Sequence, residues 1–289
     1  MNPLKTVISC DTTIALNKQQ ILENNYHVIP LNAIADGVEY HDTVDIDADK
    51  LSQLMKAGAK VSTSTPTIIE IEEYFDNLFK ETNADVIIHF TISSKLSSMF
   101  SLFTTVCNEK YGDKVKVVDS LSICYYIQQQ VDLATKLANE GVEPDEIIKI
   151  VNEKLVGTGE LVFIPESLQY LKNGGRISPA IATIANLIGI IPVLNFKDGV
   201  VGKKGVTRTT RKAIVNAITE WNETIPNFIN DYELMVLATD DHSQHLLDKV
   251  IEIVKECAPE MEYKETKISL NVTAHAGPGT VGVGIIKKI

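Results

Sequence analysis

Four separated stretches of the chain concentrate small hydroxyl residues and glycines: Thr63-Ser64-Thr65-Pro66, Ser93-Ser94-Lys95-Leu96-Ser97-Ser98, Leu171-Lys172-Asn173-Gly174-Gly175-Arg176-Ile177-Ser178 and His275-Ala276-Gly277-Pro278-Gly279-Thr280-Val281-Gly282. Their shared chemistry is that of an anion site. Hydroxyls and backbone N–H groups at the start of a helix favour a carboxylate or phosphate, because the first turn leaves N–H donors unpaired and carries the positive end of the helix dipole. Arg176 and His275 are the side chain types that most readily complete such a site. The plainer use of Thr63, Ser64 and the serines from Ser93 to Ser98 is as helix caps and turn formers, and capping and binding are compatible. Gly174-Gly175 likewise suits a helix C-terminus followed by a turn, with Arg176 a solvated charge. Asp11 and Asp119 close strand-like runs without metal-ligand spacing around them, so they read as loop and cap residues, and no metal is expected.

The elements around these stretches alternate. Thr6 to Cys10, His27 to Leu31, Asp85 to Phe90 and Val115 to Val118 read as strands, with helical patterns from Asp47 to Ala57, after Pro66, from Ser97 to Tyr111, from Ser122 to Glu140 and from Pro144. Strands separated by crossover helices predict an α/β domain with a largely parallel sheet, whose ligands gather at the carboxyl ends of the strands. The Thr63 and Ser93 stretches would then lie in successive strand-to-helix turns at one edge of that sheet. Beyond Gly157 the pattern changes. A strand at Leu161 to Ile164, an apolar helix from Pro179 through Ile188, an Asp198-Gly199 hairpin signal and strands at Glu233 to Ala238, Tyr263 to Ile268 and Val281 to Ile286 predict an α+β domain with a substantially antiparallel sheet. The division expected is 1–158 and 159–289.

Composition narrows the function. Lys plus Arg number 27 against 38 Asp plus Glu, a net charge of -11 that disfavours nucleic acid or an anionic membrane surface as a partner. Cys10, Cys107, Cys124 and Cys257 are scattered, as free core thiols are, and lack the close pairing of zinc or redox sites. The absence of a charged-then-apolar leader and of an apolar run long enough to span a bilayer points to a soluble protein of the reducing cytoplasm.

Taken in order, Asp11-Thr12-Thr13, Tyr40-His41-Asp42, Thr63-Ser64-Thr65-Pro66, Ser93-Ser94-Lys95-Leu96-Ser97, Asp119-Ser120, Leu171-Lys172-Asn173-Gly174-Gly175-Arg176-Ile177 and His275-Ala276-Gly277-Pro278-Gly279 resemble the DegV family over essentially the whole chain. The resemblance implies a two-domain fatty-acid carrier without chemistry or a cofactor of its own. It also implies, for FakB-type members, a partner: a separate ATP-dependent fatty acid kinase that converts the bound acid to an acyl phosphate for phospholipid metabolism. Carried over to this sequence, it puts the carboxylate of a long-chain fatty acid near Thr63, Ser64, Ser93 and Ser94, with His275 beside it and Arg176 near the pocket mouth. Thr65 stands where the family often has glutamine, and Ser98-Met99 where it often has Gly-Thr.

Two further readings come from the residues. Ser93 or Ser94 with His275 as base would make a lipid or ester hydrolase, although there is no GxSxG elbow and no acidic partner for His275 can be picked out. A sensor of a small carboxylate is a third class. Lys203, Lys204, Arg208, Arg211 and Lys212 form a basic cluster in an acidic chain. It is either a solvated face or, with Arg208 and Arg211 as its centre, the contact surface for the kinase.

Overall fold

A computed structural model describes residues 4–178, 181, 190–239 and 244–289. The expected apolar helix from Pro179 to Ile188 falls almost wholly outside them. In the first half, β1 (Thr6–Asp11), β2 (His27–Ile29), β6 (Val86–Thr91) and β7 (Val115–Asp119) form a four-stranded parallel sheet in the order β2-β1-β6-β7. Every residue of β6 is buried, as a central strand covered on both faces requires, which is why it reads as an unbroken apolar run in sequence. The helices of this half are α1 (Lys18–Glu23), α2 (Ala48–Lys56), α3 (Ile68–Thr82) and α4 (Met99–Lys110), with α5 (Tyr125–Asn139) and α6 (Pro144–Leu155) following β7 and leading to the second half. Pro144 opens α6 as expected. Pro66 lies outside α3, whose N-cap is Thr67, in a capping box with Glu70.

One feature departs from the expected single sheet. β3 (Asn32–Ala35), β4 (Val38–His41) and β5 (Val61–Ser64) make a separate three-stranded antiparallel sheet in the order β4-β3-β5. Thr63 and Ser64 therefore sit at the end of an antiparallel strand and not in the same sheet as the Ser93 loop. These strands are four residues each, too short for alternation to separate them from loop.

The second half builds a six-stranded sheet in the order β10-β9-β8-β13-β11-β12, from β8 (Glu160–Ile164), β9 (Ile191–Lys197), β10 (Val200–Thr207), β11 (Tyr232–Ala238), β12 (Tyr263–Lys267) and β13 (Val281–Lys287). Among the described residues of this sheet, only the β11–β12 pair is parallel. The tight turn joining β9 to β10 places Asp198 and Gly199 at φ 51° and 81°, the backbone that a two-residue hairpin demands. Period-two alternation divides the sheet's side chains. Val162, Ile164, Leu234 and Val236 pack with Ile214, Trp221 and Val250 of two helices, Thr210–Thr224 and Gln244–Cys257. Leu161, Phe163, Met235 and Leu237 point the other way, into a core shared with Phe90, Met99 and Ile127 of the first half.

Asp11 holds the end of the parallel sheet in place. Its buried carboxylate accepts from the backbone N–H of Thr13 at 2.9 Å and of Ile92 at 2.9 Å, and from the Thr13 hydroxyl, so it joins the ends of β1 and β6. Burial raises its pKa while these bonds oppose the rise. This is the cap role expected of it. Asp11→Ala strands two backbone donors at about 1–3 kcal/mol each, so a loss of roughly 2–4 kcal/mol is expected, and Asp11→Asn, which keeps one acceptor, should lose less. Denaturant unfolding with unchanged m values checks the pair of variants.

Candidate functional site

Where the sheet's inner face meets the first half of the chain, packing leaves a cavity of about 370 Å³. Its apolar wall comes from alternate sheet residues, among them Leu161, Phe163, Met235 and Leu237, facing Ile92, Met99 and Ile123. Thr13, Thr63, Ser64, Thr65, Ser97, Ser98, Arg176, Asn271, His275 and Thr280 supply polar groups to the lining. A largely apolar wall and a cluster of hydroxyl, imidazole and guanidinium groups around His275 thus share one cavity.

His275 stands on a short helix, Leu270–Ala276, capped by Ser269, whose hydroxyl accepts from Val272 N–H. Leu270 and Ala274 of that helix pack against Ala33, Leu51 and Met55, locking it onto the small antiparallel sheet. His275 Nε2 lies 3.0 Å from Thr63 Oγ1. A Cβ at Gly174 would come within 2.2 Å of His275 Nδ1, so the glycine turn exists here for space, and the imidazole slots against bare backbone. Arg176 donates from Nε to the Leu96 carbonyl at 3.3 Å and from Nη1 to the Gly174 carbonyl. Those contacts tie the serine loop to the glycine turn and use two of the five N–H donors a guanidinium carries.

The two serines expected beside Thr63 are placed otherwise. Ser93 is fully buried and its Oγ donates 2.8 Å to the Gly199 carbonyl at the hairpin tip, while Ser94 is exposed and its backbone N–H bonds Asp119 Oδ1. Neither lines the cavity. The loop turns back on itself through Leu96 N–H and Ser97 N–H to the Ser93 carbonyl, which directs Ser93 to the second half and brings Ser97 and Ser98 to the cavity instead. Ser98 occupies the N-cap position of α4 without making a side-chain cap bond, so its hydroxyl is not spent on the helix. In sequence, its place directly before the apolar Met99-Phe100 start of the helix was the available signal. Thr65 also reaches the cavity. Arg208 and Arg211 do not; both are exposed, Arg211 pairs with Glu256, and Lys204 of the same basic cluster is committed to Glu160 and Glu220.

A hydrolase arrangement does not form. Ser93 bonds a carbonyl, His275 bonds Thr63, and the charged group that acts on His275 is the cation Arg176, the opposite of the carboxylate that orients a catalytic histidine. Among the described residues no cluster of His, Cys, Asp and Glu could hold a metal, and no helix is long and apolar enough to cross a membrane. The four cysteines are free thiols.

Fold and site together define a two-domain α/β protein with a largely apolar cavity, partly lined by polar groups, between its sheets. The chain belongs to the DegV family: the family model, described as an uncharacterised protein of the DegV family, matches residues 5–288. A DegV domain-containing protein of Staphylococcus aureus strain N315 is 30% identical over 286 residues, covering 98% of this chain and 99% of the relative. Among solved structures, DegV from Bacillus subtilis, described as a fatty acid binding protein, superposes with a TM-score of 0.83 at 24% identity over 99% of this chain and 100% of its own. A DegV family protein from Eubacterium eligens, described as loaded with heptadecanoic acid, gives 0.77 at 19% identity over 98% and 100% of the two chains.

Burial, with a smaller contribution from Arg176, lowers the His275 pKa to about 4 from its ordinary 6.5, so the folded imidazole is neutral near pH 7. The unfolded chain takes up this proton below about pH 6.5 and the folded chain only near pH 4, so His275 costs stability as pH falls across that window. The wild type is expected to lose unfolding free energy relative to His275→Gln between pH 6.5 and pH 4, with the difference levelling below pH 4, when both are unfolded by urea across that range.

Proposed function

We propose that the protein binds a long-chain fatty acid, with the acyl chain in the apolar cavity and the carboxylate at its polar end. Thr63, Ser64 and Ser98 are the hydroxyl donors on this reading, His275 and Arg176 flank the head group, and Ser93 and Ser94 hold the loop and the hairpin in position. The observation that carries the reading is one cavity that joins a largely apolar wall to a cluster of hydroxyl, imidazole and guanidinium groups around His275. Each buried methylene contributes about 0.8 kcal/mol, so the chain supplies affinity while the head group needs only hydrogen bonds that offset desolvation. The descriptions of the Bacillus subtilis and Eubacterium eligens proteins as fatty-acid binders support the same ligand class. The carrier works in the cytoplasm, with domains at 1–158 and 159–289, and passes its ligand to a separate ATP-dependent fatty acid kinase.

Mass spectrometry of an organic extract from denatured protein should recover long-chain fatty acid in stoichiometric amount. An empty extract together with no thermal stabilisation by added fatty acids would refute the ligand class, since a ligand of the native state must raise apparent stability. Thr63→Val removes a donor to a charged group, a loss of about 1.5–3 kcal/mol or roughly ten- to a hundredfold in affinity, whereas Ser94→Ala should leave affinity unchanged. Calorimetry on the two variants distinguishes a head-group ligand from a loop residue.

Contact with the kinase is assigned to the exposed cations Lys203, Arg208 and Lys212, with Arg211 contributing despite its surface pair with Glu256, because exposed pairs of this kind exchange readily. Arg208→Glu with Arg211→Glu should retain fatty-acid affinity and lower acyl-phosphate formation by the kinase, less so at high salt. Undiminished turnover at low ionic strength would remove this surface from the interface.

A further inference from the structure

The cavity has a built end. It runs along the inner face of the six-stranded sheet, from His275 and Thr280 beside the start of β13 toward Gly284, a span of four strand residues or about 13 Å at ~3.3 Å per residue. Leu161 and Met235 line this far portion, as Phe163 and Leu237 line the near one, because Leu161 pairs across the sheet with Gly284 and Gly284 with Met235. At that far end stands Tyr126, from the first turn of α5, 7% exposed and part of the cavity wall.

The ring's position is fixed from three sides. A Cβ at Gly159 would lie 2.3 Å from Tyr126 Cε1, and one at Gly284 would lie 2.6 Å from its hydroxyl oxygen, so two glycines, one just before β8 and one within β13, open the slot that admits the phenol. The hydroxyl donates 2.9 Å to the Glu160 carbonyl. Glu160 is itself immobilised: its buried carboxylate accepts from Lys204 at 3.0 Å, Asn195 at 3.1 Å and Trp221 Nε1 at 3.1 Å. A side chain held by packing, by a hydrogen bond and by an anchored partner cannot swing aside to admit a longer ligand, whereas the aliphatic residues before it have no such tether.

We infer that Tyr126 is the floor of the acyl cavity and sets the longest chain the protein accepts. The inference rests on the fatty-acid reading and adds to it a residue that determines specificity at the methyl end, remote from the head group. The terminal methyl meets the ring, and further methylenes must bend or remain in water.

The test is a displacement titration of the delipidated full-length protein with a homologous series of saturated straight-chain fatty acids. While methylenes are being buried, affinity should rise about fourfold per carbon, the equivalent of ~0.8 kcal/mol each. For the wild type this rise should stop at one chain length and reverse beyond it. Tyr126→Ala should move the break to longer acids, and Tyr126→Phe, which keeps the ring, should leave it in place. Tyr126→Leu keeps apolar bulk against Leu161 and Met235 and should also shift the break upward, so the result does not depend on the alanine variant folding. Folded alanine and leucine variants with the wild-type break point overturn the assignment while leaving the carrier reading intact. Failure of the wild type to bind any member of the series overturns the carrier reading itself, and the floor with it.

Discussion

The inner face of the six-stranded sheet has to be covered, and among the described residues it is the first half of the chain that covers it. Helices Thr210–Thr224 and Gln244–Cys257 take the outer face. Leu161, Phe163, Met235 and Leu237 on the inner face find their apolar partners on the helices and strand ends of the parallel-sheet half. This obligation joins the two halves through one continuous core, and it also explains the cavity. Flat strand side chains and the tips of α4 and α5 do not interlock over their whole length, so the seam between them keeps an apolar gap.

How legible this was depends on what each residue's neighbours had to be. Strands of the parallel sheet could be read directly, since β6 is buried at all six positions and shows an unbroken apolar run. The Asp198-Gly199 hairpin could be read for a stereochemical reason, positive φ at both positions. The small sheet containing Thr63 could not, because its strands are short and its pairing partner β3 lies some thirty residues upstream, a relation no local period encodes. Residues from all four hydroxyl- and glycine-rich stretches meet at the cavity, though not the serines first picked out of them. Which serine of Ser93 to Ser98 faces the cavity is decided by hydrogen bonds to Gly199, Asp119 and the loop's own backbone, and two of those partners are remote in sequence. The spacing role of Gly174, and Tyr126 altogether, were hidden for the same reason: one makes room for His275 and the other fills room left by Gly159 and Gly284, and such complementarity exists only after folding.

Polar burial in this molecule is concentrated where elements must be held at fixed separations. Asp11 joins two parallel strands, Ser93 joins a loop to a hairpin tip, and Glu160 gathers a lysine, an asparagine and a tryptophan beneath the sheet. His89 is a purer case of the same economy. Stacked on Phe103 with ring centroids 4.7 Å apart and bonded to Ser9, it is depressed to a pKa of about 3 by burial and serves as a neutral aromatic with one polar contact. Such groups add little net stability individually, but they penalise alternative packings, since any shift leaves a desolvated polar atom without its partner.

The contact between Thr63 and His275 crosses the seam: the hydroxyl belongs to the small antiparallel sheet of the first half, the imidazole to a helix of the second. Ser93 and Gly199 cross it again some distance away. The cavity is lined from both halves of the chain, so a ligand held as proposed would touch both, and its release would be thermodynamically linked to the loosening of the seam. By that linkage a proposed ligand would brace the join between the halves as well as the pocket, and whatever parts the halves would weaken the hold on it.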